Sequence, residues 1–504
     1  MSAPRRLPVL DIEVSKVRLP DDCTRGFSGM RVQQRLSQPT LCELTFANIE
    51  EGVVSEAFPL GAAFSVLERS VTTPLFEGRV TAVEYSYDVG RTGTVTVRGY
   101  DDLFILRNRQ SVRTHVGLTV AELARELVSD LGLNVEADTP GPVWQRLLQT
   151  GTDLDLLDDV AARCGLYTVL TGQTLKLLTL AGAGELIKLG LNDNLLEARL
   201  EANSNGVCRK VSANGWDPWR GIECVGDAST PRVGRVVDLQ APASLIGGKD
   251  ERTQLGAALQ DEEHASASAQ AELDVRTTHE IGFWGIAMGN PQLRPGARVH
   301  VSGVAGPLCG EYVLASAKHT LDADRGYMSE VSTVLPPPRP KVMGTTMTLG
   351  QVSQIDDPDK LGRVQVTLPA YANLETDWLM VLAPGAGKGK GLVAQPDIGD
   401  LVLLLLDKGD LAQAIVLGGV YGEAGLPEGQ DVLGEGASFS FMSPGGQRIR
   451  LNDAANSVRL ENSGGSLVEF TPEAMTLSSK TPLTIEAPGQ KILIRAKFVD
   501  FERI

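Results

Sequence analysis

The 504-residue sequence predicts a mainly β protein with three parts: a hub of two β-barrel domains with a few helices, an OB-fold barrel, and a C-terminal trimeric β-helix or β-prism needle. Three features predict this fold class. Short apolar stretches, many of them alternating, follow one another along most of the chain. The 54 glycines make up about 11% of the 504 residues, above the usual share of about 7%, and glycine is common in turns between short strands. A strand-and-turn repeat fills roughly the last seventy residues.

Residues 1–340 are predicted to form the two barrels, with a helical insert at about 112–165. Strand-like segments dominate 8–110, where apolar runs alternate with Gly and Pro. Helical spacing then begins at 118–131, because apolar residues recur there at intervals of three and four. The insert therefore interrupts a β-rich region.

A second helix is predicted from 153 to 164, with Thr152 or Asp153 as its N-cap and Gly165 as its stop. Strands return after it, interrupted by a predicted helix near 254–273, which is rich in Ala, Glu and Gln. The hub is thus expected to contain few helices.

A proline-rich segment at 335–340 predicts a stiff linker and the clearest domain boundary of the chain, since proline cannot join the interior of a sheet. Residues 341–424 follow and predict a small Greek-key barrel of the OB type. Its five apolar segments read MTLGQVSQI, GRVQVTL, WLMVL, DLVLLLL and AIVLGGV.

Residues 425–504 are predicted to form a connector and a trimeric β-helical spike. Pairs of apolar residues flank one outward residue, and successive pairs begin 7 to 10 residues apart. The residues predicted to pack along a threefold axis are Ile449, Leu451, Val458, Leu460, Val468, Phe470, Met475, Leu477, Leu483, Ile485, Ile492 and Ile494.

This ribbon carries no second layer to cover its apolar side. A single chain would leave that side and its strand edges open, whereas three identical chains wound about one axis would cover both. We therefore predict a homotrimer. A β-sandwich made from the strands of one chain remains the alternative.

Charge and hydropathy exclude several classes of protein. With 47 basic and 63 acidic residues, the net charge is −16, which argues against a nucleic-acid partner or an anionic membrane surface. The longest apolar run has six residues, at 401–406, far below the ~18 that span a bilayer. No signal peptide is apparent at the start, and six scattered cysteines indicate reduced thiols, so synthesis in the cytoplasm is expected.

We expect no catalytic, cofactor or metal site. The glycine-rich run 385–391 lacks the spacing of a Walker loop. The acidic cluster at 153–159 is typical of a solvated helix N-terminus, because an EF-hand needs a glycine and a final glutamate that are missing. The five histidines are at least fifteen residues apart, which disfavours a metal centre.

Several motifs carry a family resemblance, and the most specific lie in the OB region. They are Phe76-Glu77-Gly78-Arg79-Val80, Val97-Arg98-Gly99-Tyr100-Asp101, 150–170, 291–296, 310–314 with His319, KLGRVQVTLP from 360, Trp378, 383–387, 396–400 and IVLGG. Together they resemble the VgrG-like and phage baseplate hub-spike proteins of contractile injection systems. The extracellular, phage-tail-like type is favoured, because the needle is short and without extension.

The resemblance implies a structural, non-enzymatic homotrimeric central spike, which caps the inner tube, nucleates baseplate assembly and punctures the target envelope. Its implied partners are inner-tube and baseplate proteins, a possible effector cargo, and a PAAR-like tip protein contacted by Val499, Phe501 and Ile504. The resemblance implies no nucleic-acid partner, and it implies contact with the target membrane only during puncture. Such a spike would be part of an assembled particle, either retained in the cell or released from it.

Two other functions remain open from the sequence. A tail-associated cell-wall hydrolase would need an inserted domain, and the connector at 423–439 is expected to leave no room for one. A receptor-binding adhesive trimer would need a head beyond the needle, and none is expected.

Overall fold

The computed structural model describes residues 10–47, 51–69, 73–87, 93–217, 222–255, 259, 261–337, 346–406, 411–422, 425–426 and 438–502. The chain divides into two compact units, Met1–Gly419 and Val420–Ile504. Strands dominate both units, which confirms the prediction of a mainly β protein. Of the predicted linker at 335–340, residues 335–337 are described, and residues 338–340 lie outside the described ranges.

The first unit begins with a strand-rich segment whose apolar residues alternate as the sequence predicts. Its elements are β1 Leu10–Val14, β2 Val17–Arg18, α1 Asp21–Gly26, β3 Phe27–Arg35, β4 Gln38–Ala47, α2 Glu51–Ala57, β5 Ala63–Glu68, β6 Phe76–Ser86 and β7 Thr94–Tyr100. Phe46, Phe58, Phe64 and Phe76 contact one another in sequence, with ring centroids 4.8–5.9 Å apart, and form the centre of its core.

The insert follows directly and contains most of the short helices. Its elements are α3 Leu103–Asn108, β8 Arg113–Leu118, α4 Val120–Val128, β9 Asn134–Ala137, β10 Trp144–Gln149, α5 Asp153–Arg163, β11 Tyr167–Thr171 and β12 Thr174–Leu178. Thr152 is the N-cap of α5 and forms a capping box with Asp155, while Gly165 has the left-handed φ of 68° that ends the helix.

The second strand-rich segment contains the longest helix. Its elements are β13 Ala183–Gly190, β14 Leu195–Ala202, β15 Lys210–Asp217, β16 Ile222–Ala228, β17 Val236–Val237, β18 Glu251–Leu255, α6 Glu262–Glu280, β19 Ile281–Met288, β20 Ala297–Ser302, β21 Gly310–Val313, β22 Ser316–Asp322 and β23 Gly326–Ser332.

The two strand-rich segments share one 11-stranded sheet, because β22 pairs antiparallel with β3. The strand order is β14-β19-β23-β22-β3-β4-β7-β6-β5-β1-β2. Each segment keeps its own core, the first within 12–97 and the second within 189–331. The sheet therefore joins two separate hydrophobic cores.

The predicted helix near 254–273 is misplaced, since α6 spans Glu262–Glu280. Its start is set by Asp261, whose carboxylate accepts a hydrogen bond from the His264 amide at 2.9 Å. Its last turn is held by buried Glu280, which pairs with two arginines. Those partners are distant in sequence, so the helical pattern alone does not reveal them.

The OB region follows the predicted strand order. Its strands are β24 Thr346–Gln354, β25 Gln365–Leu368, β26 Leu374–Glu375, β27 Met380–Val381, β28 Leu401–Leu406 and β29 Ala414–Gly419. They form one six-stranded sheet in the order β26-β25-β24-β28-β29-β27 around a core of Val and Leu.

The second unit is a five-stranded antiparallel meander in which each strand pairs with the next. Its strands are β30 Ser438–Met442, β31 Arg448–Asn452, β32 Ser457–Glu461, β33 Leu467–Phe470 and β34 Met475–Ser478. No strand occurs in the described segment 479–502, although the sequence predicts three there. A ladder needs a hydrogen-bonded neighbouring strand, and no strand in the described part of this chain pairs with this segment.

Candidate assembly surface

Cross-strand register places ten apolar side chains on one side of the meander, because residues directly opposite in an antiparallel ladder share a face. We call this set the apolar face. One row is Phe441, Ile449, Leu460, Val468 and Leu477, and the other is Phe439, Leu451, Val458, Phe470 and Met475.

The apolar face is largely open to solvent within its unit. Phe439 is 71% exposed and Met475 is 68% exposed, whereas alternating residues of a covered sheet face are buried. The core clusters of buried apolar residues in the described chain all lie in the first unit. A patch of this kind on a soluble protein marks an interaction surface.

The opposite side of the meander is mostly polar, with Met442 and Leu467 as its apolar members, and charged side chains on it form ion pairs. Arg459 donates to the Glu461 carboxylate at 2.9 Å, and its guanidinium lies 3.5 Å from Glu469 on the next strand. Hydrogen bonding to Arg459 lowers the pKa of Glu461 below its usual value. The two sides of the sheet therefore differ in chemistry, with one satisfied and the other uncovered.

Tight turns fix the register that separates the two sides. Gly446 and Gly465 have φ values of 80° and 81°, which a side chain would strain. The Asn462 side chain also accepts a hydrogen bond from the Ser466 amide at 2.8 Å and closes the β32–β33 turn. A slip of one residue would move every apolar side chain to the other side, so these turns preserve the face.

Eight of the twelve predicted axis residues lie together on this face. The remaining four, Leu483, Ile485, Ile492 and Ile494, are exposed and belong to no strand. The predicted tip contacts Val499 and Phe501 are also exposed, and Ile504 lies outside the described residues.

Sequence reasoning missed Phe439 and Phe441, which complete both rows at β30. The prediction placed Phe439 in the connector at 423–439 and started the strand repeat at Ile449, so Phe441 was assigned to neither. The alternation in SFSFM was the available signal, because it has the same period of two as the strands that follow.

Within the first unit, the OB barrel is attached to the insert by a polar and an apolar contact. Arg146 on β10 donates to the Thr376 carbonyl at 2.6 Å and lies 3.8 Å from the Asp377 carboxylate. Leu148, on the same strand, packs against the barrel core. These contacts fix the barrel relative to the insert.

The candidate chemical groups that the sequence analysis set aside have structural partners. Asp153 accepts from Gln149 at 2.7 Å, and Asp158 accepts from the Thr168 hydroxyl at 3.0 Å. His319 donates through Nε2 to the Leu293 carbonyl at 3.0 Å, and burial lowers its pKa to about 3. These side chains stabilise the fold.

The described residues do not meet the structural requirements of a metal centre or of a membrane-spanning helix. No group of three or more His, Cys, Asp or Glu side chains in that part of the chain is arranged to hold a metal ion. No helix in the same ranges is long and apolar enough to cross a membrane.

Comparison with known proteins identifies the OB region. Residues 348–421 match the family described as the type VI secretion system/phage-baseplate injector OB domain. A comparison with curated proteins found no match.

Solved structures extend the similarity beyond the OB region. A chain of the Francisella PdpA–VgrG complex, half-lidded, is 9% identical with a TM-score of 0.54, covering 93% of this chain and 87% of that one. The E. coli c3393 protein, a type VI secretion component with structural similarity to the T4 tail proteins gp27 and gp5, is 12% identical with a TM-score of 0.53, covering 82% and 99%. The 43 kDa tail protein of prophage MuSo2 from Shewanella oneidensis is 18% identical with a TM-score of 0.48, covering 65% and 98%.

These findings confirm the resemblance to VgrG-like and phage baseplate hub-spike proteins. The OB domain shows the resemblance at the level of sequence, and the similarity in fold extends over most of the chain. Among the proteins with a similar fold, the E. coli c3393 protein is a component of the type VI secretion system.

Proposed function

We propose that this protein is the structural, non-enzymatic central spike of a contractile injection system and acts as a homotrimer. The observation that carries the proposal is the apolar face, whose ten side chains lie in two rows with no covering layer among the described residues of their unit. The match of residues 348–421 to the injector OB domain is the reason for proposing a contractile injection system. In this role the spike caps the inner tube, nucleates baseplate assembly and punctures the target envelope.

Threefold assembly accounts for two features of the second unit, the uncovered apolar face and the unpaired edges of its outer strands. Three apolar faces turned toward a common axis cover one another, and the exposed ladder edges of β30 and β34 gain neighbours from other chains. The same neighbours would convert 479–502 into strands, with Leu483, Ile485, Ile492 and Ile494 pointing inward. The needle then has paired backbone groups throughout, which suits a part that bears force.

The implied partners follow from this arrangement. Val499 and Phe501 are exposed, Phe501 to 90%, and together with Ile504, which lies outside the described residues, they are the proposed contacts of a PAAR-like tip protein. Inner-tube and baseplate proteins bind the hub, and an effector cargo travels on the spike. The assembled particle is the site of action, whether retained or released.

The test is the molar mass of the purified full-length chain by light scattering, for the wild type and two neighbouring variants on β30. Phe441→Asp places a charge on the apolar face, whereas the matched control Ser440→Asp places it on the polar side opposite Arg450. We expect a trimer for the wild type and for Ser440→Asp, and loss of the trimer for Phe441→Asp. A monomeric wild type with an ordered second unit would overturn the proposal.

A further inference from the structure

A cleft of about 340 Å³ opens within the first unit. It lies beside the β3–β4 hairpin, the end of β7, and helices α3 and α5. Its lining residues are Gln33, Arg35, Ser37, Gln38, Pro39, Leu41, Tyr100, Arg107 and Leu154. Its volume falls in the range of about 300–1,000 Å³ that is typical of ligand sites.

The cleft is positively charged in an acidic protein. Arg35 and Arg107 line it, and no carboxylate does so among the described residues. Neither arginine forms an ion pair within the described part of the chain. Since the whole chain has a net charge of −16, this local excess of cations is complementary to an anionic ligand.

Aromatic rings hold Arg107 in place before any ligand arrives. Tyr100 and Phe104 stack with centroids 5.1 Å apart at 8°, and the Arg107 guanidinium lies 4.8 Å and 5.0 Å from their ring centres. Such cation–π contacts restrict the side chain while leaving its planar fork of N–H donors for a carboxylate. Arg107 is therefore preorganised for bidentate binding.

Arg35 is held in a similar way by its own strand. With the Gln33 amide in the orientation that satisfies both groups, its oxygen accepts from Arg35 Nε and Nη2 at 3.0 and 2.9 Å. Glu330, the carboxylate whose pKa Arg35 helps to lower, is already paired with Lys318 at 3.1 Å. Arg35 therefore lines the cleft without an ion pair to a carboxylate of the described residues.

The rest of the lining selects the kind of anion. Pro39, Leu41 and Leu154 supply apolar surface, of which Leu154 is buried. A nucleic-acid strand needs a longer track of cations and free aromatic faces, and the acidic chain repels it beyond the cleft. A carboxylate beside an apolar side chain satisfies both parts of the lining.

We propose that this cleft binds an acidic peptide segment of a partner protein, with carboxylates on Arg35 and Arg107 and an apolar side chain on the Pro39–Leu41 surface. All of the lining residues belong to the first unit, so the proposal is argued and tested independently of the needle.

The test is selection of heptapeptides from a random display library on the full-length protein, counter-selected on the Arg35→Gln/Arg107→Gln double variant. Peptides retained by the wild type are expected to be several-fold enriched in Asp and Glu next to apolar residues. The best peptide, measured by fluorescence anisotropy, should bind the double variant and Arg35→Gln at least tenfold more weakly. Arg125→Gln, at an exposed arginine of α4 outside the cleft, should bind as the wild type does.

Three results would overturn the proposal. The first is a failure of the peptide experiment: the selected peptides are not enriched in Asp or Glu, or the best peptide binds the wild type and the double variant with equal affinity. The second is a dT10 oligonucleotide that displaces the peptide at lower concentration than the peptide itself requires. The third is a change of molar mass in the double variant, which would make a second copy of the chain the occupant. Circular dichroism establishes beforehand that each variant is folded.

Discussion

Leu460 and Val468 lie directly opposite each other in the β32–β33 ladder, and both side chains belong to the apolar face. The residues that flank them, Arg459 and Glu469, form the next opposite pair and point to the polar side. One ladder therefore separates an ion-paired surface from an uncovered apolar one. That separation is the physical basis of the proposed trimer.

Charges on the predicted axis should prevent trimer formation. Val468→Asp would bring three carboxylates together in an apolar interior without partners, and Ile485→Asp would do the same beyond β34. We expect each variant to be monomeric in native mass spectrometry at micromolar concentration. If Val468→Asp remains a trimer with unchanged thermal unfolding, the apolar face is not the axis. If Ile485→Asp alone remains a trimer, the needle stops at Ser478.

Arg146 should control how firmly the OB barrel is attached to the insert. Arg146→Ala removes the hydrogen bond to the Thr376 carbonyl, and we expect a cost of about 1–2 kcal/mol in the free energy of local opening. Hydrogen exchange in peptides that cover 374–382 should become faster, while exchange in β30–β34 stays unchanged. Arg125→Ala, also in the insert, is the control. Equal exchange in both variants would show that Leu148 alone holds the barrel.

Asp101 should make the stability of the hub depend on pH. Its carboxylate is buried, accepts from the amides of Thr40 and Leu103, and has a pKa raised by burial to about 7. An unfolded carboxyl ionises near pH 4, so the folded state holds the proton between about pH 4 and 7. The folded state therefore loses stability as pH rises through that window.

The comparison is thermal unfolding from pH 5 to 8 for the wild type, Asp101→Asn and Asp102→Asn. We expect Asp101→Asn to flatten the decline of the unfolding temperature with pH. Asp102→Asn, whose carboxylate pairs with Arg79 at 3.2 Å near the surface, should leave the decline in place. A wild-type slope that survives in Asp101→Asn would assign the titration to another group.

Asp357 should hold the β24–β25 loop of the OB barrel. Its carboxylate accepts from the Leu361 amide at 2.9 Å and from Arg363 Nη2 at 2.6 Å. These bonds lower its pKa well below the usual value, so its contribution is present above about pH 4 and is lost as pH falls.

Asp357→Asn should reduce the free energy of unfolding by about 2 kcal/mol at pH 7, because Arg363 loses its buried carboxylate. The difference from the wild type should shrink on acidification below pH 4. Asp359→Asn is the matched control, since Asp359 also contacts Arg363 but is exposed. Equal losses in the two variants, measured by chemical denaturation, would contradict the role given to Asp357.

The sequence could predict the features that repeat at short range. Alternation of apolar residues located the OB strands, and the same alternation located eight of the axis residues from Ile449 to Leu477. It could not place α6, whose final turn depends on Arg209 and Arg235 reaching Glu280 from distant segments. It also missed Phe439 and Phe441, since two alternating residues after a connector carry little periodic signal.

The amino-acid order by itself determined the β character of the chain, the OB barrel and the two-sidedness of the C-terminal strands, because these depend on neighbours two to four residues apart. The pairing of β22 with β3, the attachment of Arg146 to the barrel and the alignment of ten apolar side chains in two rows were decided by tertiary structure. The first two contacts join residues far apart in sequence, so no local pattern encodes them, whereas the two rows depend on which strands pair and in what register.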